Sequence, residues 1–308
     1  MRNQIFETAA LQVFERGWLS SNNVLFDGDD TRETVLIDSG YGTHASQTVA
    51  LVRHALGHRR LDRIVNTHLH SDHCGGNHAL QAAFGCSIDV PSGEIEKVDR
   101  WDEALLTFRD TGQQCPRFHR SGSIQDGDTI ECGTRSWQVI AAPGHDPESV
   151  VLYQPEFEIL ISADALWENG FGVIFPELEG KQAFDHVRET LDRLAELRVQ
   201  WIIPGHGPSF QGVAQALERA HRRLDAFVAD PARHARHAAK VLIKFHLLEV
   251  QQRDLSRLIE WLEATKFMRL SHSSHFESID FRTWCISLLE ELSASEAIKI
   301  DGPVIRNI

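Results

Sequence analysis

Short apolar runs alternate with amphipathic stretches along the first two-thirds of the chain. Residues 11–18 (LQVFERGW), 22–26 (NNVLF) and 34–38 (TVLID) are apolar runs separated by turn-forming residues, which predicts three short strands. In residues 44–56 the apolar positions fall on one stripe at helical spacing, and residues 63–65 (RIV) are another apolar run. The pattern therefore predicts three strands, a helix and a fourth strand that leads directly into THLHSDHCGGN.

The same alternation continues to about residue 210. A helix is predicted from about residue 76 to residue 84, and residues 92–124 are polar and irregular, with a helical signal at WDEALLTF. A helix is predicted at about 182–197, and it precedes WIIPGHGP (201–208), which begins with a short apolar run. Further strands are predicted at residues 87–90, 128–132, 136–142, 150–154 and 158–164. Alternating strands and helices indicate an α/β region.

After Gln211 the pattern changes to long amphipathic helices, so we place a boundary between residues 1–212 and residues 213–308. The second segment is predicted to contain, in order, helices in VLIKFHLLEV, QRDLSRLIEWLEAT and FRTWCISLLEEL and a strand-turn-strand in AIKIDGPVIRNI. This order resembles a winged-helix module. The alternative is a helical cap or appendage, and the near-neutral charge of the segment favours the cap over a DNA-binding wing.

Composition and charge narrow the class of protein. The 308 residues are 42% hydrophobic and 24% charged, which is ordinary for a globular protein. Residues 1–210 contain 17 Lys and Arg and 31 Asp and Glu, whereas residues 211–308 contain 14 and 13. The acidic first region would repel a phosphate backbone, so nucleic acid is not the expected partner.

The five cysteines and the N-terminal residues indicate a compartment. The cysteine number is odd and no CxxC pair occurs, which suits free thiols in a reducing environment. The first 18 residues contain no apolar segment typical of a signal peptide, and no window approaches 18 apolar residues. We therefore expect a cytoplasmic protein with no membrane partner.

Four residues within six positions carry the strongest chemical signal. His68, His70, Asp72 and His73 form an HxHxDH run directly after a predicted strand. Three imidazoles and a carboxylate this close are costly to bury without hydrogen bonds or a cation, so the run indicates a metal site. The alternating His68 and His70 suit one metal, whereas Asp72 and His73, at the start of a helix, point to a second.

Three later residues occupy similar positions in the predicted fold. His145 in PGH, Asp164 in SAD and His206 in PGHGP each follow a predicted strand. Open α/β folds bind ligands where strands end, so the three residues and the HxHxDH run are expected to converge.

This pattern resembles the metallo-β-lactamase superfamily over residues 11 to about 212. The resemblance implies an αββα sandwich, in which two mixed sheets pack face to face with helices outside. It also implies that His68, His70 and His145 hold a first metal, that Asp72, His73 and His206 hold a second, and that Asp164 bridges them. Asp38, in LIDSG, is expected to support the site from behind the ligands.

The ligand types indicate two divalent cations, most consistent with zinc, with iron or manganese as alternatives. Cys74 is expected to be a small buried side chain rather than a ligand. A hydroxide held between the two metals would attack a carbonyl, and Asp72 is the expected catalytic side chain as well as a ligand.

The substrate is expected to be a small molecule. THLHSDHCGGN and PGHDPESVVLY resemble the glyoxalase II-like thioesterases, so a thioester or ester of a small acyl metabolite is the first prediction. Acyl-homoserine lactonases are similar in the ligand set, but Trp167 stands where they have a tyrosine. A regulatory or binding protein with weak hydrolysis is a further alternative. Trp167, Phe171 and Phe175 are candidates for an acyl pocket.

The apolar stripes of residues 213–308 need a partner. One of these stripes contains Val241, Leu242, Phe245 and Leu248. We expect the segment to pack over the mouth of the catalytic region and to shape the pocket, with a homodimer interface on its other side.

Overall fold

A computed structural model describes residues 2–308, with side chains from residue 4 onward. Within this range the first sheet has six strands in sequence order. The first three strands pair antiparallel and the next three pair parallel, which makes the sheet mixed. The strands are β1 (Leu11–Phe14), β2 (Asn23–Phe26), β3 (Val35–Ile37), β4 (Arg63–Val65), β5 (Ser87–Pro91) and β6 (Gly122–Ile124).

The second sheet has five strands, which also lie in sequence order. Its neighbours are antiparallel except for the last pair, which is parallel. The strands are β7 (Thr129–Cys132), β8 (Arg135–Ala141), β9 (Val150–Gln154), β10 (Ile159–Ala163) and β11 (Trp201–Pro204).

Thirteen α-helices occur within residues 2–308. They are α1 (Arg2–Thr8), α2 (Ala45–Leu56), α3 (Ser71–Cys74), α4 (Asn77–Phe84), α5 (Ile95–Arg100), α6 (Phe108–Thr111), α7 (Phe175–Leu178), α8 (Phe184–Ala195), α9 (Val213–Ala229), α10 (Pro231–Val250), α11 (Leu255–Ala264), α12 (Lys266–His275) and α13 (Phe281–Ala294).

The two sheets pack face to face around a shared apolar core. Phe26 of the first sheet meets Trp137 of the second edge to face, with ring centroids 5.0 Å apart, and both rings are fully buried. Burial of an aromatic side chain of this kind contributes about 1.5–3 kcal/mol. On the outer faces, α2 and α4 cover the first sheet, and α8 and α9 cover the second. The predicted αββα sandwich is confirmed.

Residues 231–308 form a helical unit with its own small sheet, whereas α9 packs on the second sheet of the sandwich. The strands β12 (Gln252–Asp254), β13 (Ile298–Asp301) and β14 (Val304–Asn307) pair antiparallel in the order β12-β14-β13. Helix α10 begins at Pro231 after Asp230, whose side chain accepts a hydrogen bond from the Arg233 amide. The predicted helices and the strand-turn-strand at the end are present.

This C-terminal unit packs on the sandwich close to the ends of its strands. Phe267 of α12 lies against Phe175 of α7, with ring centroids 5.0 Å apart, and Phe245 of α10 meets Tyr41 at 5.4 Å. Lys266 adds ion pairs to Asp110 (2.6 Å) and Glu179 (2.8 Å), so apolar and charged contacts both hold the unit in place.

Several predicted elements differ from the structure in extent. The strand predicted for residues 11–18 ends at Phe14, and the following residues form a loop held by a hydrogen bond from the Arg16 amide to Asn22 Oδ1. The region at 92–124 contains α5, α6 and the edge strand β6. The helical signal at WDEALLTF falls on turns between the two helices, and only its last residue, Phe108, is helical. Helix α12 was also not predicted, because its sequence KFMRLSHSSH has few apolar positions.

Candidate metal centre

The seven predicted ligands lie just beyond the ends of four strands. His68 follows β4 by three residues, and the other members of its run lead into α3. His145 lies between β8 and β9, Asp164 directly follows β10, and His206 follows β11 by two residues. Because these strand ends meet at one edge of the sandwich, residues far apart in the sequence face each other.

The first group consists of His68, His70 and His145. All three side chains are buried, and their ligand atoms lie within 4.8 Å of one another. His70 Nδ1 is 2.7 Å from His145 Nε2. The other ring nitrogen of His145, Nδ1, donates to the Val173 carbonyl at 2.5 Å, so its Nε2 carries the lone pair that faces the group.

The second group consists of Asp72, His73, Asp164 and His206, also buried and within 4.8 Å of one another. Asp72 Oδ2 lies 3.0 Å from His206 Nε2. His73 Nε2 lies 4.0 Å from the same Asp72 oxygen and 3.5 Å from Asp164 Oδ1. Two imidazoles and two carboxylates are a suitable donor set for a divalent cation.

Asp164 lies between the two groups. Its Oδ2 is 3.3 Å from His145 Nε2 of the first group, and its Oδ1 is 3.5 Å from His73 Nε2 of the second. The preceding residue, Ala163, has a positive φ of 45°. Position 205 must be glycine, because a Cβ there would overlap Asp164 Oδ1. The backbone around Asp164 is therefore shaped for a close approach of the two loops.

Asp38 contacts His73 on the side of the ring that faces away from the second group. Its Oδ2 lies 2.7 Å from His73 Nδ1, and its two oxygens also accept hydrogen bonds from the amide and the hydroxyl of Thr67 at 2.9 and 2.8 Å. The carboxylate fixes the His73 tautomer, so that Nε2 points into the second group.

Unsatisfied polar atoms show that these groups fit cations. His68 Nε2 and His73 Nε2 are buried without a hydrogen-bond partner. Buried polar atoms are rarely left unpaired, because each costs about 1–3 kcal/mol. Both nitrogens belong to groups of potential ligands, so two bound cations would satisfy them.

The pKa shifts of the histidines in the two groups agree with this fit. Burial lowers the pKa of His70 and of His145 to about 4, and it lowers the pKa of His68 well below its usual value. These imidazoles are therefore neutral near pH 7, as ligands must be. Burial also lowers the pKa of His73, but Asp164, Asp38 and Asp72 outweigh it and raise that pKa well above its usual value. Positive charge is thus favoured in the second group.

Cys74 belongs to neither group. Its Sγ is buried, 3.5 Å from the Leu69 carbonyl and 3.7 Å from Cys115 Sγ. Burial raises the pKa of this thiol well above its usual value, which disfavours the thiolate needed for metal binding.

A cavity of about 560 Å³ opens onto the two groups. The predicted pocket residues Trp167, Phe171 and Phe175 all line it. Trp167 Nε1 donates to Asp164 Oδ1 at 3.2 Å, and Phe175 lies 5.3 Å from the His70 ring. The volume of the cavity lies in the range typical of small-molecule sites.

The C-terminal unit contributes the facing wall of this cavity. Val241, Leu242, Phe245 and Leu248 line it from α10, and they belong to the apolar stripe expected to pack over the mouth of the catalytic region. Trp18, which stacks on His206 with ring centroids 5.4 Å apart, was not predicted from the sequence. The cavity-lining cations Arg223, Lys240 and Lys244 were not predicted either. The basic residues gave no signal because their convergence depends on how α9 and α10 pack.

The sequence profile of the Metallo-beta-lactamase superfamily matches residues 16–206. The chain belongs to this superfamily. The matched region includes all seven predicted ligands and Asp38. Within the described residues, no helix is long and apolar enough to cross a membrane.

Curated relatives and solved structures carry the same family resemblance. A hydroxyacylglutathione hydrolase of Hyphomonas neptunium is 31% identical over 137 residues, covering 44% of each chain. One from Bdellovibrio bacteriovorus is 28% identical over 178 residues, covering 57% of this chain and 58% of that protein. The chain thus aligns with about half the length of these relatives. A metallo-beta-lactamase family protein of Thermus thermophilus shares the fold, with a TM-score of 0.58 at 19% identity over 97% of this chain and 99% of that one.

Proposed function

We propose that the chain is a dinuclear metal-dependent hydrolase that cleaves a thioester or ester of a small acyl metabolite. The observation that carries this proposal is the position of Asp164, whose two oxygens face two separate groups of buried ligands. His68, His70 and His145 would hold one cation, Asp72, His73 and His206 the other, and Asp164 both. Zinc fits the imidazole-rich set best, with iron and manganese as alternatives.

Each side chain has a distinct part in this chemistry. When bound, the two cations would lower the pKa of a water molecule and polarise a carbonyl oxygen. Asp72 lines the cavity. Burial alone would raise the pKa of Asp72, but His73 and His206 outweigh burial and lower that pKa. Its Oδ2 is therefore an ionised acceptor for a proton. The aromatic wall of Trp167, Phe171 and Phe175 would exclude bulk water from the acyl group. In thioester hydrolysis, water adds to the carbonyl and the C–S bond breaks, which releases a carboxylic acid and a thiol.

The thioester is preferred over the lactone for two reasons. The curated relatives are named hydroxyacylglutathione hydrolases. In addition, Trp167 stands where the resemblance to lactonases implies a tyrosine, and its indole N–H already donates to Asp164. An indole has no acceptor and does not exchange a proton as a phenol does.

Metal analysis and a substrate screen on the same preparation test the proposal. Protein purified without chelator should contain close to two equivalents of metal per chain, and it should hydrolyse simple acyl thioesters faster than homoserine lactones or phosphodiesters. A metal content near zero after supplementation would contradict the dinuclear site. Full metal occupancy without turnover of any ester, thioester or lactone would favour the regulatory alternative.

A further inference from the structure

A second cavity, of about 480 Å³, lies beside the catalytic cavity between α9 and α10. The two cavities share Arg223, His237 and Lys240 in their linings, so they are neighbours. We call this second cavity the basic cavity; it is lined by Arg222, Arg223, Ala226, Phe227, Arg233, Arg236, His237 and Lys240.

Cations outnumber carboxylates around the basic cavity. No Asp or Glu lines it in the described part of the chain. From outside the lining, Glu218 pairs with Arg222 at 3.3 Å, and Glu291 is shared between Arg236 (2.8 Å) and Lys240 (3.0 Å). Five cationic side chains therefore have two carboxylate partners, in a chain whose net charge is −13. Such a local excess of positive charge attracts an anion.

Arg223 marks the boundary between the two cavities. Its Nη1 donates to the Asn169 carbonyl at 3.2 Å and its Nη2 lies 2.6 Å from His237 Nε2, while its guanidinium packs over the ring of Phe227. None of these partners is an acid. Burial, and after it the charge of Arg233, lower the pKa of Arg223. The positive charge of Arg223 is therefore not balanced by a neighbouring carboxylate.

We propose that the basic cavity binds the phosphate groups of the substrate's thiol half, and that the substrate is an acyl thioester of a phosphate-bearing carrier with the chemistry of coenzyme A. This proposal rests on the thioesterase function proposed above. Guanidinium groups bind phosphate oxygens in pairs, and each phosphate monoester carries about −1.5 to −2 charges, which matches an excess of three cations. A cavity of this volume accommodates a nucleotide-sized group.

The arrangement of the two cavities gives this substrate an orientation. The thioester carbonyl would lie at the metal centre, and the thiol arm would pass along the apolar surface of α10, past Val241, towards Lys240 and Arg223. The phosphates would then meet Arg233, whose guanidinium is exposed and makes no ion pair within the described residues.

Two thioesters of the same acyl group test the proposal. One is the coenzyme A thioester, and the other is the N-acetylcysteamine thioester, which lacks all phosphates. We expect kcat/KM of the metal-loaded protein to favour the first by at least about tenfold, since the gain of one charge-assisted hydrogen bond to a phosphate corresponds to that factor or more. Arg233→Ala should reduce this preference about tenfold. Arg198→Ala, an exposed arginine distant in sequence from the basic cavity, is the matched control and should leave the preference unchanged.

Direct binding separates this proposal from the thioesterase function. Calorimetry with adenosine 3′,5′-bisphosphate should show binding to the metal-loaded protein that weakens about tenfold in Arg233→Ala but not in Arg198→Ala. Equal kcat/KM for the two thioesters, or equal bisphosphate affinity in the wild type and Arg233→Ala, would overturn the phosphate site. If neither thioester is hydrolysed at full metal occupancy, the thioesterase function fails, and the bisphosphate measurement alone decides whether the cavity binds phosphates.

Discussion

Asp38 Oδ2 and His73 Nδ1 are 2.7 Å apart in the fully enclosed interior of the protein. Asp38 adopts a positive φ of 56°, a conformation that Asp tolerates better than most residues, and this turns its side chain from the end of β3 towards the ligand loop. The carboxylate therefore fixes the orientation of an imidazole that faces the second metal group.

Replacement of Asp38 by Asn should weaken metal binding without removing a ligand. The amide removes the negative charge that favours an Nδ1–H on His73, so affinity at the second group should fall about 10–100-fold. Competition with a chromogenic chelator would measure this change. Asp27→Asn, at an exposed carboxylate paired with Arg59, is the control. Unchanged affinity in Asp38→Asn would show that His73 does not depend on this contact.

Asp164→Ala should affect both metals together. Because one carboxylate oxygen faces each group, its loss should lower the occupancy of both positions and reduce kcat by at least about 100-fold. Elemental analysis and turnover of the preferred thioester would be measured in parallel with Asp192→Ala, an exposed carboxylate on α8. Loss of only one metal equivalent would mean that Asp164 serves a single site.

Variants of two neighbouring residues of α12 compare the apolar and the charged contacts that hold the C-terminal unit on the sandwich. Phe267 is buried against Phe175, so Phe267→Ala should lower the free energy of unfolding by about 3–5 kcal/mol. Lys266 is partly exposed, and Lys266→Met should cost at most about 1 kcal/mol despite the loss of two ion pairs. Urea denaturation measures both. A larger effect of Lys266→Met would show that the ion pairs dominate the docking.

His246 should make stability depend on pH. It is buried and stacked on Trp261 at 3.9 Å, with neither ring nitrogen hydrogen-bonded, and burial lowers its pKa to about 4. In the unfolded chain the pKa of His246 is near 6.5, so as the pH falls the unfolded chain binds a proton at this residue before the folded protein does. The full free energy of unfolding is therefore present above about pH 6.5, and part of it is lost as the pH falls towards 4.

The variant His246→Phe tests this dependence. It keeps an aromatic ring against Trp261 but has no titratable or unsatisfied nitrogen, so the protein should be more stable by about 1 kcal/mol at pH 7. Its free energy of unfolding should also fall less steeply than that of the wild type between pH 6.5 and 4.5, as measured by urea denaturation. Parallel curves for the two proteins would show that His246 does not titrate on unfolding.

Local patterns predicted the strands and the residues that follow them, and the resemblance to the metallo-β-lactamase superfamily implied the sandwich. Apolar runs identify the strands, and His145, Asp164 and His206 each follow one. The stacking of Trp18 on His206 was not predictable in this way, since Trp18 lies in a loop with no periodic pattern. Arg223 is similar: in the sequence it is one charged position on an amphipathic helix, and only the packing of α9 against α10 gives it a place between two cavities.

The division of the ligands between the two sheets has a consequence for biosynthesis. The second group needs His73 from the first half of the chain and His206 from the loop after the last strand of the second sheet. Asn22 holds this loop through hydrogen bonds to the carbonyls of Pro204 and Gly207. The ribosome synthesises the HxHxDH run more than 130 residues before it synthesises His206. The complete centre therefore forms only late in synthesis. Until then, the nascent chain contains the histidines of the HxHxDH run without the later ligands Asp164 and His206.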